Sequence, residues 1–84
     1  MTTVDLNTLH SDKVVDARGT SCPGPLLETK KAMPSVPIGG ILETLSSDEG
    51  TKEDIPAWAR KIGHEFLGVV AEPGYDRIFV RRLK

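Results

Sequence analysis

The chain has 84 residues, a formal net charge of −1 and a single cysteine. This length predicts one domain over residues 13–84 after a flexible lead-in at residues 1–12. The near-neutral charge argues against a dedicated nucleic-acid-binding protein, and one cysteine excludes an internal disulfide or a dithiol redox pair. No cysteine lies near His10 or His64, so we expect no metal site. Neither a signal peptide nor a membrane span is recognisable, and with the free thiol this predicts a cytoplasmic protein without a membrane partner.

The first third of the chain predicts a strand followed by a helix. Lys13–Ala17 is the predicted strand, and Gly19 ends it. Residues 25–33 are rich in helix-forming side chains, and Pro34 and Pro37 stop the predicted helix. The helical spacing predicts one core-facing stripe: Leu26, Leu27, Lys30 and Met33.

A second strand and a second helix follow. Ile41–Leu45 mixes apolar and polar residues, which predicts a strand in a half-covered sheet. In the second helix, four apolar residues at i, i+3, i+4 and i+7 form one face aimed at a core. These residues are Ile55, Trp58, Ala59 and Ile62. We expect Trp58 to anchor the core rather than to stack on a ligand, because it belongs to this face.

The ends of the second helix carry their own signals. Thr51 followed by Asp54 resembles a capping box, and the alternative is Asp54 as the cap with Pro56 in the first turn. Gly63 supplies the stop signal at the other end.

The last third predicts a β-hairpin. Glu65–Ala71 and Tyr75–Arg82 are predicted strands joined by a turn at Pro73-Gly74. The element order is therefore β-α-β-α-β-β. Strand-helix-strand crossovers favour parallel pairs, and the hairpin adds an antiparallel pair. The pattern predicts an α/β (α+β) two-layer sandwich, a mixed four-stranded sheet covered on one face by two helices.

The candidate site is built around Cys22. Proline fixes φ, lacks an N–H and favours an extended residue before it, so Pro23 and Pro25 predict a rigid corner with the sulfur exposed. A thiol reacts as its thiolate, which a following helix N-terminus and the nearby Arg18 would stabilise. The prolines limit this activation, because they remove two amide donors and leave Gly24 among the nearest that remain.

Hydrolytic chemistry finds little support in the sequence. A cysteine hydrolase positions a general base and an oxyanion hole around its sulfur. His64 follows the stop signal at Gly63, which favours a surface or helix-end histidine over a base. What remains is one accessible sulfur that accepts a group from one protein and yields it to another.

These features resemble the TusA (SirA-like) sulfur carrier family, whose hallmark is a Cys-Pro-x-Pro motif after a short first strand. The resemblance covers about residues 14–84 and rests on several segments: Asp16-Ala17-Arg18-Gly19, Cys22-Pro23-Gly24-Pro25, Lys30-Lys31, Asp54-Ile55-Pro56-Ala57-Trp58 and Gly63-His64-Glu65. It implies that Cys22 receives sulfane sulfur as a persulfide from a cysteine desulfurase or a rhodanese-like donor and passes it to an acceptor protein. The family implies a carrier rather than a stand-alone enzyme, with no cofactor besides the covalent sulfur.

The resemblance also suggests supporting roles around Cys22. Pro23 and Pro25 would shape its exposure, and Gly24 would permit close approach by a partner. Arg18 either stabilises the thiolate or persulfide or is a solvated residue at a strand end. Members of the family serve tRNA thiolation, sulfur oxidation or cofactor assembly, and the sequence does not choose among these pathways.

Two other functions compete with a carrier. Four basic residues crowd the end of the chain: Arg77, Arg81, Arg82 and Lys84. They form either a solvated strand face and tail or a docking surface for an acidic partner or for the RNA that a partner holds. An RNA-binding module on this basic strand is the first alternative, although no direct nucleic-acid binding is expected from the charge balance. The second is a regulatory interaction protein in which the motif only starts a helix.

Overall fold

The computed structural model describes residues 11–21 and 23–84. Residues 1–10 of the predicted lead-in, and Cys22, lie outside the described residues. The strands are β1 (Lys13–Asp16), β2 (Ile41–Ser46), β3 (Glu65–Glu72) and β4 (Tyr75–Arg81). The helices are α1 (Gly24–Ala32), followed by a 3₁₀ turn over Met33–Ser35, and α2 (Thr51–Ile62). The predicted order of elements is confirmed.

The four strands form one mixed sheet in the order β1-β2-β4-β3. β1 and β2 are parallel, with Val15 opposite Thr44, whereas β4 is antiparallel to both β2 and β3. The mixed sheet and the hairpin were predicted correctly. The second crossover does not form the expected parallel pair, because β4 folds back from the hairpin and lies between β2 and β3.

The core lies between one face of the sheet and the two helices, as predicted. Its buried members are Met33, Val36, Leu42, Ile55, Ala59, Ile78 and Val80. Fully burying a Leu, Ile or Val side chain stabilises a fold by about 1.5–3 kcal/mol, so this cluster is the main source of stability.

The buried face of α1 differs from the predicted stripe. Met33 is buried as expected, but Leu27 is 48% exposed and Lys30 is exposed. The helix instead buries Pro25 and Thr29, which lie one turn apart. The polar Thr29 belongs to the core-facing side because its hydroxyl finds buried partners, and a hydropathy pattern does not detect this.

The apolar face of α2 was predicted correctly except at its end. Ile55 and Ala59 are fully buried, and Trp58 packs partly buried against the core, which confirms its role as an anchor. Ile62 is 44% exposed, because the helix ends at this residue. Gly63 then takes the left-handed conformation with φ 99° and donates its N–H to the Ala59 carbonyl at 2.9 Å, which confirms the predicted stop.

Both predictions for the start of α2 are wrong. The helix begins at Thr51 after Gly50, and no side chain caps it. The Thr51 hydroxyl is buried and accepts a hydrogen bond from Ser46 Oγ at 2.8 Å. Pro56 is the sixth residue of the helix rather than a first-turn residue, and Asp54 lies in the first turn instead of preceding it.

Strand β2 is more buried than a half-covered strand. Thr44 and Ser46 face the helices, and on the opposite face Glu43 is only 8% exposed beside the fully buried Phe79. Glu43 accepts hydrogen bonds from Arg77 Nε at 2.8 Å and from the Ser11 hydroxyl at 2.6 Å. The central position of β2 between two strands brings these partners together, so local polarity does not predict the burial.

Candidate functional site

The loop between β1 and α1 is fastened to β2 before it reaches Cys22. Ala17 is buried and donates its N–H to the Leu45 carbonyl at 2.8 Å, which extends the parallel pairing by one residue. Gly19, with φ 82°, donates its N–H to Ser47 Oγ at 2.9 Å. A glycine suits this position, because other residues rarely adopt a positive φ.

The chain after Cys22 enters α1 directly. Pro23 is exposed and precedes the first helical residue, and its carbonyl accepts the Leu27 N–H at 3.0 Å. The Gly24 N–H donates to the Ser21 carbonyl at 2.8 Å. This amide was expected to remain available to the sulfur, and that expectation is wrong because the Ser21 carbonyl already uses it.

The two prolines of the motif occupy different environments. Pro23 is exposed, as is Ser21, whereas Pro25 is among the fully buried side chains. The predicted exposure of Cys22 itself falls on a residue outside the described ones and stays a prediction. Its two sequence neighbours are both exposed to solvent.

Gly24 has an internal packing role that the sequence did not reveal. A Cβ at this position would collide with the Thr20 methyl group. The loop before Cys22 and the first turn of α1 therefore approach each other closely, and a side chain at residue 24 would require the exposed Thr20 side chain to move.

Arg18 pairs with Asp16 at the end of β1. Its Nε and Nη2 donate to the two carboxylate oxygens at 2.9 and 2.8 Å, and its guanidinium lies 4.9 Å from the ring centroid of Tyr75. Hydrogen bonds from the Arg18 side chain and backbone, followed by its charge, lower the pKa of Asp16 to about 2. The carboxylate offsets the charge of Arg18, which weakens any effect of this cation on a thiolate.

A hollow opens beside the Cys22 loop where the parallel strands β1 and β2 end. It has a volume of about 450 Å³ and is lined by Gly19, Thr20, Ser21, Ser47, Asp48 and Glu49. Ligands of open α/β sheets bind in this position, at the carboxyl ends of parallel strands. The sequence interpretation missed the contribution of the β2–α2 loop, although the prediction of a parallel pair could have revealed it.

His64 lies at the opposite edge of the sheet, where β3 begins. It follows α2 as predicted, but it is only 8% exposed, so the expected surface position is wrong. Its Nδ1 accepts the Leu83 N–H at 3.1 Å, and its ring lies 5.6 Å from that of Trp58. Burial, then the charges of Arg82 and Lys84, lower its pKa. His64 is therefore a structural residue at the far end of the fold.

The basic residues near the end of the chain mostly bind groups of the same molecule. Arg77 pairs with Glu43 and Glu72, and Arg81 Nη1 lies 3.3 Å from Glu65 Oε1. The side chain of Arg82 donates to backbone carbonyls, including that of Val36 at 2.7 Å. These contacts weaken the argument for an RNA-binding surface on β4, because little of its positive charge is uncompensated.

Comparisons with known proteins place the chain among sulfur carriers. The family model Sulfurtransferase TusA matches residues 13–82. A protein of Archaeoglobus fulgidus named as a sulfur carrier is 52% identical over 71 residues, with 84% of this chain and 97% of that protein covered. The sulfur carrier protein TusA of Pseudomonas entomophila is 32% identical over 77 residues, with 92% and 96% covered.

A solved structure agrees on the fold. The crystal structure of the SirA-like protein from Desulfitobacterium hafniense superimposes with a TM-score of 0.74 at 20% identity, covering 86% of this chain and 99% of that one. In the part of the chain that the structure describes, no helix is long and apolar enough to cross a membrane.

Fold and sequence together define a small two-layer α/β protein with a mixed sheet, whose single cysteine lies in the sequence between β1 and α1. The chain belongs to the TusA family of sulfur carriers. Proteins of this class exchange sulfur with donor and acceptor proteins.

Proposed function

We propose that Cys22 carries sulfane sulfur as a persulfide and relays it between two proteins. The observation that supports this most directly is the family match over residues 13–82, which contains Cys22-Pro23-Gly24-Pro25 and no other cysteine. A carrier with one thiol can hold the sulfur only there. The anchored loop before Cys22 and the exposed Ser21 and Pro23 on either side suit a thiol that another protein must reach.

The transfer step needs no oxidant. The Cys22 thiolate attacks the terminal sulfur of a donor persulfide, a new S–S bond forms at Cys22, and the donor's S–S bond breaks to release its thiolate. The negative charge and the proton of the terminal sulfur are both conserved. In the second half of the cycle an acceptor thiolate attacks the terminal sulfur on Cys22, and Cys22 leaves as a thiolate.

The surrounding residues would support this exchange without taking part in bond formation. Pro23 would limit the conformations available to the loop, and the buried Pro25 would fix the start of α1 to the core. Gly24 would let a partner backbone approach. The Arg18–Asp16 pair would keep a polar and nearly neutral rim beside the sulfur.

The donor would be a cysteine desulfurase or a rhodanese-like protein, and the acceptor a protein with a reactive cysteine. The sulfur would serve tRNA thiolation, sulfur oxidation or cofactor assembly. A thiol that must stay free for this cycle suits a reducing compartment such as the cytoplasm.

The proposal is tested by intact-mass spectrometry after incubation with a desulfurase and cysteine, or with a rhodanese and thiosulfate. The wild-type chain should gain the mass of one sulfur atom, which a reductant removes, and Cys22→Ser should gain none. A wild-type chain that stays unmodified with both donors would contradict the proposal. RNA binding that falls with salt and persists in Cys22→Ala would favour the RNA-binding alternative.

A further inference from the structure

Two buried threonine hydroxyls connect the centre of the sheet to the first turn of α1. Thr29 on α1 and Thr44 on β2 are both buried, and their Oγ1 atoms lie 2.8 Å apart. The Thr29 hydroxyl also donates to the Pro25 carbonyl at 2.8 Å. A hydroxyl has one proton, so Thr44 must donate to Thr29 while Thr29 donates to Pro25. The result is a directed chain from β2 to Pro25.

The two ends of this hydrogen-bond chain lie in parts of the fold that are constrained to different degrees. Thr44 lies in a central strand, paired with Val15 of β1 on one side and Ile78 of β4 on the other. Pro25 is the second proline of the Cys-Pro-x-Pro motif and the second residue of α1. The hydroxyl chain therefore fixes the start of the helix relative to the most constrained part of the sheet.

Hydrogen bonds at these positions restrain the direction and distance of the helix relative to the sheet, which apolar packing would not do. Burial of apolar surface is non-directional and tolerates small sliding movements of a helix, whereas a hydrogen bond weakens steeply when its distance or angle changes. The hydrogen bonds of the two threonines fix the start of α1, which follows Cys22. The bond from Gly19 N–H to Ser47 Oγ fixes the loop that precedes Cys22. Both fastening points are on β2 or on the residue that follows it.

We infer that Thr29 and Thr44 are positioning residues for the Cys22 thiol. Their hydroxyls hold the first turn of α1 beside the residue that would meet the donor, where the partial positive charge of the helix start would favour a thiolate without a direct bond from the Gly24 N–H. This inference rests on the proposed sulfur transfer at Cys22 and assigns to it two residues that would act through the first turn of α1.

The test replaces the hydroxyls by methyl groups of nearly equal size. Thr29→Val, Thr44→Val and the double variant should each accept sulfur from the donor more slowly, by about tenfold for a small misplacement of the reacting atom. The pH profile of Cys22 alkylation by iodoacetamide should shift to higher pH in the same variants. Thr29→Ser, which keeps the hydroxyl, should restore both the rate and the profile toward those of the wild type.

The double variant separates positioning from stability. It removes both buried hydroxyls together, so neither is left without a partner, and the melting temperature should stay close to that of the wild type. If a single variant fails to fold, the transfer rate and the alkylation profile are measured in the double variant instead. Thr51→Val is the matched control, because it removes a buried hydroxyl on α2 and should leave the alkylation profile unchanged.

Two outcomes would overturn the inference. One is an unchanged alkylation profile and an unchanged transfer rate in the double variant, and the other is an equal shift in Thr51→Val. Alkylation uses no protein donor, so it still reports on Cys22 if the wild type accepts no sulfur. In that case the proposed function fails, while a shifted profile would show that the threonines act on the thiol.

Discussion

The two helices start at the same edge of the sheet, but they are fastened to β2 in different ways. α2 is fastened at its first residue, where Thr51 bonds Ser46. α1 is fastened one turn later, through Thr29, and its first residues follow the exposed Pro23. The difference indicates separate roles: the first residue of α2 is part of the interior, whereas Pro23, just before α1, stays accessible and the helix behind it is held by Thr29.

The largest effect is expected from crowding the start of α1. Gly24→Ala places a methyl group against the methyl group of the exposed Thr20, and forcing that side chain from its position costs about 0.5–1.5 kcal/mol. The loop before Cys22 would also be displaced, so sulfur loading should slow. Thermal unfolding and the loading assay measure the two effects.

A second substitution provides the control for this variant. Thr20→Ala removes the methyl group that Gly24→Ala would strike, so the double variant should recover both stability and loading. A double variant as impaired as Gly24→Ala alone would show that Thr20 is not the cause.

At the start of α2, Thr51→Val should lower stability without changing sulfur chemistry. It removes the hydrogen bond from Ser46, worth about 1 kcal/mol, while Ser46 Oγ still accepts the Asp48 N–H at 3.1 Å. The melting temperature of a domain of this size should fall by roughly 4–8 °C per kcal/mol. A loss of sulfur loading larger than the loss of folded protein would contradict the division between the two helix starts.

His64, which follows the end of α2, should make the stability of the protein depend on pH. The pKa of His64 is lowered in the folded state below its ordinary value of 6.5, so the unfolded chain binds protons more readily. The stabilisation is complete above about pH 6.5 and is lost as pH falls from there through the folded-state pKa. Denaturant unfolding at several pH values measures it.

His64→Asn is the informative variant for this pH dependence. Its side-chain oxygen can accept the Leu83 N–H in place of Nδ1 but does not titrate. Stability should then change less between pH 8 and pH 5. The Asp16 carboxyl contributes only in a lower window, from its ordinary pKa of 3.8 down to about 2. A pH dependence in His64→Asn as steep as in the wild type would exclude His64 as the cause.

The smallest effect distinguishes the two leucines of α1. Leu27 is 48% exposed, so Leu27→Ala should change stability by less than about 0.5 kcal/mol. Leu26 packs partly buried against the core, so Leu26→Ala should cost more. Equal losses of unfolding free energy in the two variants, measured by chemical denaturation, would support the predicted stripe that includes both leucines. They would contradict the observed exposure of Leu27.

Local signals explain what could be predicted from the sequence. Pro73-Gly74 between two β-rich segments predicts the hairpin, and Gly63 after a periodic apolar pattern predicts the end of α2. These features depend on φ preferences and spacing over a few residues, which the sequence contains directly. The family resemblance at Cys22-Pro23-Gly24-Pro25 is of the same local kind.

Features that were missed depend on contacts between distant residues. The Thr29 hydroxyl belongs in the core only because Thr44 lies opposite it, and Ser47 contributes to the site only because β1 and β2 are parallel neighbours. The burial of His64 likewise follows from the return of the chain past Leu83. Propensity and hydropathy treat each segment alone, so they cannot report such pairings.

The central claim is that the single thiol is presented to other molecules by a fastened loop, and its reaction rate with a small disulfide reagent tests this most directly. The rate in the native protein should be comparable to the rate in the chain unfolded by denaturant, after allowance for pH and for the denaturant itself. The contrary result is a native rate slower by the folded-to-unfolded ratio, on the order of 10³–10⁸ for small domains. Such a rate would mean that Cys22 reacts only when the protein unfolds, which a sulfur carrier cannot tolerate.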